Sequence, residues 1–194
     1  MKRSALTLSV ALLITLLPHN SLANDLGIWD RLEGKNPRGY VLLIRHALAP
    51  GVGDPANFTL GDCSTQRNLS EEGRQDARDI GEWLKLRKIK INRVETSRWC
   101  RARETAELLG LGRVRANKNL DSLFEDDDPA NDPQTEIIRN QIIEHRSKRG
   151  LLIMVGHFVN IGLLTGESVD SGEGVLVRAT QRGVLKVVGR SPKP

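Results

Sequence analysis

The chain has 194 residues, 39% hydrophobic and 27% charged, which suits one globular domain and excludes a disordered or low-complexity chain. Aromatic residues make up only 4%, so the core must be built from Leu, Ile, Val and Ala. Of the 29 Lys and Arg, two (Lys2 and Arg3) open the chain; the other 27 against 24 acids leave +3, too weak a bias to argue for a nucleic-acid partner.

The basic start is followed by an apolar run, Ala5 to Leu17, then Pro18-His19-Asn20 and the small residues Ser21 and Ala23. This is a secretory leader layout, with cleavage expected after Ala23 and an exported product, periplasmic or secreted. The run is short of the roughly 20 residues a membrane span needs, and no later segment is apolar enough to span. The two cysteines, Cys63 and Cys100, would then meet an oxidising compartment where a disulfide persists; two free thiols are the alternative. Their spacing does not make a zinc site.

Residues 24–194 read as one domain. The polar stretch 24–38 predicts a short helix or arm. Tyr40–Ile44 is a continuous apolar run that suits a strand buried on both faces. A long Gly/Pro/Asp/Asn loop, 47–67, follows. Ser70 reads as a helix N-cap with Glu71 and Glu72 in the first turn, opening a helix to about Leu86. A short strand is expected at 94–97, a helix at 101–109, a weak strand near 113–116 and an acidic loop at 121–132. Pro133 can open a helix to about Arg146, with His145 expected as a solvated surface residue on its end. Leu151–Val155 is the second strongly apolar strand, followed by a short helix at 159–164 and a closing hairpin, 174–178 with 184–188. Strands alternating with helices predict an α/β fold whose sites lie beyond the carboxyl ends of the strands.

Two histidines occupy that location: His46 after the first apolar strand and His157 after the second. A lone strand-end histidine reads equally well as structural. Arg45 beside His46 adds a guanidinium that matches phosphate oxygens bidentately, though a sheet-end salt bridge would also explain it.

The chain resembles the histidine phosphatase superfamily, which includes the cofactor-dependent phosphoglycerate mutases. The resemblance rests on four blocks in order: Arg45-His46-Ala47; Leu69-Ser70 with Gly73 and Ala77; Thr96-Ser97 with Arg101-Ala102 and Thr105-Ala106; and Gly156-His157. It implies a three-layer α/β/α sandwich with a mostly parallel sheet. It also implies phosphomonoester hydrolysis through a phosphohistidine on His46, with Arg45, Arg101 and His157 around the transferring phosphoryl group. Two guanidiniums and an imidazole can neutralise the phosphoryl oxygens unaided, so neither metal nor cofactor is expected. Arg67, Asn68 and Ser97 are implied as substrate contacts, with Thr96 beside Ser97 as a further donor; that Asn68 and Ser70 only cap the helix is the equal alternative for Asn68. If joined, the cysteines would clamp the 61–68 loop to the start of the Arg101 helix.

The chain departs from the family pattern at two places. Ala47 replaces a motif glycine, strained if that position needs positive φ and acceptable if it needs only smallness. Ser122 stands where many members carry the general-acid Glu, leaving Glu125, then Asp121, as candidates. A pocket that binds anions but turns over weakly, if at all, is therefore the second expectation. The expected substrate is a small phosphorylated compound outside the cytoplasm; a phosphorylated lipopolysaccharide core sugar is one candidate by resemblance.

Overall fold

The computed structural model describes residues 21–191, so most of the expected leader, residues 1–23, lies outside the described residues. Helix α1 (Ser21–Leu32) leads into β1 (Tyr40–Arg45), then α2 (Glu71–Leu86), β2 (Ile91–Thr96), α3 (Cys100–Leu108) and β3 (Val114–Ala116). The second half runs α4 (Pro133–His145), β4 (Leu151–Gly156), α5 (Phe158–Thr165), β5 (Gly174–Ala179) and β6 (Leu185–Arg190). No helix among the described residues is long and apolar enough to cross a membrane.

The strands form one sheet in the order β3-β2-β4-β1-β5-β6. The pairings β3/β2, β2/β4 and β4/β1 are parallel, and β1/β5 and β5/β6 are antiparallel. The central strands explain themselves by alternation. Leu42 and Ile44 of β1, with Ile153 and Val155 of β4, face Trp29 of α1, Leu84 of α2 and Ala102 and Ala106 of α3. Val41 and Leu43, with Leu152 and Met154, face Ile138 and Ile142 of α4 and Ile161 and Leu164 of α5. Helices thus cover both faces, and the apolar runs read from the sequence are strands with no wet side. The two sides together make the three-layer α/β/α sandwich that the resemblance implied.

Helix α2 starts where Ser70 Oγ accepts the Gly73 amide at 3.0 Å. A Cβ on Gly73 would stand 2.2 Å from the Leu48 carbonyl oxygen, so only glycine lets α2 press against the chain just beyond His46. One expectation fails. His145 is fully buried, not solvated, because the turn after α4 folds back over it and the Gly150 carbonyl bonds its Nε2 at 2.9 Å. Burial lowers its pKa, the Gly150 contact opposing.

Candidate active site

Three parallel neighbours, β2, β4 and β1, end on the same side of the sheet and bring Ser97, His157 and His46 together. The backbone stitches these ends: the His46 amide donates to Gly156 O at 3.0 Å and the Ser97 amide to Val155 O at 2.9 Å. Arg101 joins from the first turn of α3. The His46 and His157 ring centroids lie 5.4 Å apart. A cavity of about 200 Å³ opens over them, lined by Arg45, His46, Arg67, Arg101 and His157 below and by Gly51, Val52, Gly53, Ser122, Phe124 and Phe158 towards the mouth.

His46 is buried and held by its neighbour: Nδ1 lies 2.8 Å from the Ala47 carbonyl oxygen. That contact makes Nδ1 the protonated nitrogen and leaves a lone pair on Nε2. Burial, then the charges of Arg101, Arg45 and Arg67, push the His46 pKa down to about 3, while the Ala47 carbonyl pulls the other way. The ring is neutral at ordinary pH. Burial and the same cationic surroundings keep His157 well below its usual range too.

The guanidiniums are fixed before any ligand arrives. Arg45 Nη1 donates to Val169 O at 3.0 Å, and its Nε is buried with no hydrogen-bond partner among the described residues. A buried, charged N–H beside a cavity is costly unless something enters to accept from it. Arg67 donates through Nε to Gly53 O at 2.8 Å and through Nη1 to Ala49 O. Arg101 donates through Nη1 and Nη2 to Asp54 at 2.7 and 3.1 Å, with its Nε 3.3 Å from His46 Nε2. End-on pairing with Asp54 turns the other edge of Arg101, the Nε side, towards the nucleophilic nitrogen. An oxyanion bonded to that edge lies next to His46 Nε2.

The family model described as "Histidine phosphatase superfamily (branch 1)" matches residues 41–127. Over those 87 of its 194 residues the chain is similar to the histidine phosphatase superfamily. No curated protein matches it in sequence. Among solved structures it is similar to the protein histidine phosphatase SixA complexed with tungstate, at 18% identity and TM-score 0.56 over 79% of this chain and 97% of that one. It is also similar to phosphoserine phosphatase from Entamoeba histolytica in complex with 3-phosphoglyceric acid, at 11% identity and TM-score 0.57 over 79% and 96%. A third likeness is Bacillus stearothermophilus YhfR, at 18% identity and TM-score 0.53 over 77% and 95%. At these identities the likenesses establish the fold.

Within this histidine phosphatase fold, the residues expected at the site divide. Arg45, His46, Arg67, Arg101 and His157 converge on the cavity. Ser97 does not line it but holds His157, its Oγ 2.9 Å from His157 Nε2. Thr96 is buried and also off the cavity, its Oγ1 without a partner among the described residues. Asn68 is not brought to the pocket: its Nδ2 donates to Cys63 O at 2.7 Å and Gln66 O at 3.0 Å, which shapes the loop. Asp121 is buried and occupied by Arg98, through the Arg98 amide at 2.8 Å and Nε at 2.7 Å. Glu125 stands in an adjoining recess with Asp54, Trp99, Ser122 and Phe124, its Oε1 3.3 Å from the Asp54 amide. Among the described residues, no carboxylate lines the cavity itself. Among the described residues, no group of three or more His, Cys, Asp or Glu could hold a metal ion.

Two functional residues escaped the sequence reading. Asp54, in the long loop, orients Arg101 and also accepts Trp99 Nε1 at 2.9 Å. Its burial favours the neutral acid, but the bonds and charge of Arg101, with Trp99 and the Arg67 amide, hold the carboxyl below its usual range. Thr105, present in the matched motif but given no role, accepts the Ala47 amide at 3.0 Å and donates to Arg101 O at 2.7 Å. It ties the nucleophile's strand end to the arginine's helix. Ala47 itself is fully buried, and among the described non-glycine residues only Lys88 has positive φ, so position 47 needs smallness and not glycine's freedom. Cys63 and Cys100 form a disulfide. It closes the 47–67 loop, with Asp54 on it, onto the start of α3.

Proposed function

We propose that the protein is an exported, metal-independent phosphatase that hydrolyses phosphomonoesters through a phosphohistidine on His46. The observation that carries this reading is the Nε2 lone pair of a neutral His46, set beside Arg101 Nε and a buried, unpartnered Arg45 Nε at the floor of a closed-bottomed cavity. Phosphoryl transfer asks for positioning and for charge on the equatorial oxygens, and this floor supplies both.

His46 Nε2 attacks phosphorus while the bond to the leaving oxygen breaks; Arg45, Arg101 and Arg67 face the non-bridging oxygens. Water then attacks the phosphohistidine, the N–P bond breaks, and inorganic phosphate leaves with the Nε2 lone pair restored. The leaving oxygen must gain a proton during or after the first step. With no carboxylate lining the cavity, groups that depart as stable anions are favoured, and aryl phosphates are the simplest. The exposed rings of Phe124 and Phe158 at the mouth, 5.7 Å apart, suit an apolar or planar leaving group. Export rests on the leader pattern of residues 1–23 and accords with the disulfide.

The test is hydrolysis of p-nitrophenyl phosphate in EDTA by wild type and His46→Ala, with alkali-quenched phosphate labelling of both proteins. Turnover with an acid-labile phosphoenzyme, both lost in His46→Ala, is the expected result. Turnover that survives in His46→Ala refutes the mechanism. The second reading, an anion-binding module with little turnover, is favoured by the missing carboxylate. Tight phosphate binding without hydrolysis of any ester would establish it.

A further inference from the structure

The end of the sheet opposite the cavity carries a different kind of charge. Because β1, β2 and β4 are parallel, the segments entering them gather at one pole. Residues 33–38 bring Lys35 and Arg38, residues 86–90 bring Arg87, Lys88 and Lys90, and residues 144–149 bring Arg146, Lys148 and Arg149. Antiparallel β5 ends at the same pole, since Tyr40 pairs with Arg178, and its turn into β6 adds Arg182 and Lys186. These four segments hold eleven Lys and Arg against two acids, Glu33 and Glu144, which leaves the rest of residues 24–194 with more acids than bases. A six-residue strand separates the poles by roughly 20 Å.

The platform is stitched together. Gly34 N donates to Arg87 O at 2.7 Å, Lys90 N to Lys35 O at 3.0 Å, Gly150 N to Pro37 O at 2.7 Å and Gly39 N to Lys148 O at 3.1 Å. Among the described residues, no ion pair neutralises its cations. Arg38 donates to Ser147 O and Arg146 to Thr180 O and Gln181 O, while Arg178 lies over the Tyr40 ring. Carbonyls and a ring hold these guanidiniums in place and leave their charge intact. With Lys186 they line a cleft of about 740 Å³ that has no acid in its lining. Beside the cations stand two aliphatic side chains, Leu86 at 72% exposure at the end of α2 and Val184 at 57% in the turn before β6.

We infer that this basic pole docks the protein on an anionic phospholipid bilayer. The cleft of Arg38, Arg146, Arg178 and Lys186 takes a phosphate headgroup, while Leu86 and Val184 enter the interface. Charge complementarity supplies the attraction, each Lys or Arg near an anionic surface adding to it. The protruding aliphatics favour a bilayer over nucleic acid, whose surface offers them nothing to enter. Docked this way, the cavity faces away from the membrane. The inference does not depend on the phosphatase reading.

The test is co-sedimentation of the exported, purified protein with vesicles of phosphatidylcholine alone or with about a third phosphatidylglycerol. Binding is expected only to the anionic vesicles, and high salt should release it. Lys88→Glu/Lys148→Glu/Lys186→Glu, all exposed and without side-chain hydrogen bonds or ion pairs among the described residues, should weaken binding about 100-fold or more with an unchanged melting temperature. Leu86→Ser/Val184→Ser should weaken vesicle binding while leaving binding to heparin unchanged. No binding to anionic vesicles at low salt overturns the inference, as does full binding by the triple variant. Duplex DNA bound as tightly as vesicles, with Leu86→Ser/Val184→Ser without effect on vesicle binding, would replace the bilayer with nucleic acid.

Discussion

The floor and the mouth of the cavity are built by different rules. On the floor every charged or basic group is buried or half-buried and tethered: His46 to Ala47 O, Arg101 to Asp54, Arg45 to Val169 O, His157 to Ser97. At the mouth, Val52, Phe124 and Phe158 are exposed, with 86%, 41% and 42% of their surfaces open, and no carboxylate stands among the lining residues. The contrast locates rigidity where the phosphoryl group would be held and leaves the leaving group to adaptable contacts. A site of this design tolerates varied esters but depends strictly on its floor.

The sharpest way to break the contrast is at Arg101. Arg101→Ala should lower kcat/KM for p-nitrophenyl phosphate about 100- to 1000-fold, the effect of losing a preorganised oxyanion donor. Arg101→Lys should recover little, since an ammonium lacks the planar fork that pairs with Asp54 through two nitrogens while Nε faces His46. Asp54→Asn tests whether the tether matters apart from the charge it holds. A loss of about 10- to 100-fold, mainly in kcat, is expected from a support of this kind. An unchanged kcat would show that Arg101 needs no orientation.

Acid should expose the cost of the floor. His46 titrates near 3 in the folded chain against 6.5 unfolded, so the unfolded state binds more protons between those values. Stability is therefore fully present above pH 6.5 and is lost as pH falls towards 3. Between about pH 7 and pH 5, His46 alone should cost about 2 kcal/mol, read as a lower urea midpoint. His145 and His157, whose pKa values are also lowered, push the same way. In His46→Ala the same pH step should cost less.

The smallest effect belongs to the mouth. Glu125→Gln should change kcat/KM for an aryl phosphate by less than about threefold, because a phenolate departs without a general acid. A much larger loss, confined to alkyl phosphates, would make Glu125 the proton donor despite its place in the adjoining recess.

What the sequence revealed follows the same division. The strands Tyr40–Ile44 and Leu151–Val155 were legible because burial on both faces demands unbroken apolar runs. His46 and His157 were legible because such runs end at the site. The Ser70 cap and the Pro133 start follow local rules that fold the same way anywhere. Asp54 was not legible: a carboxylate in a Gly/Pro loop has no period and no cap geometry, and its partner lies 47 residues away. His145 was misread because the polar residues around it gave no sign of the turn that closes over its ring. Asn68 read equally as a substrate contact or a helix cap, and its bonds to the Cys63 and Gln66 carbonyls serve the loop instead.

The Cys63–Cys100 bond adds the element of time. It fastens the loop that carries Asp54 to the helix that carries Arg101, across a separation of 37 residues. As long as the two sulfurs are thiols, nothing covalent holds Asp54 over the guanidinium, and a chain of otherwise finished fold still has a loose tether at its floor. Oxidation completes that floor.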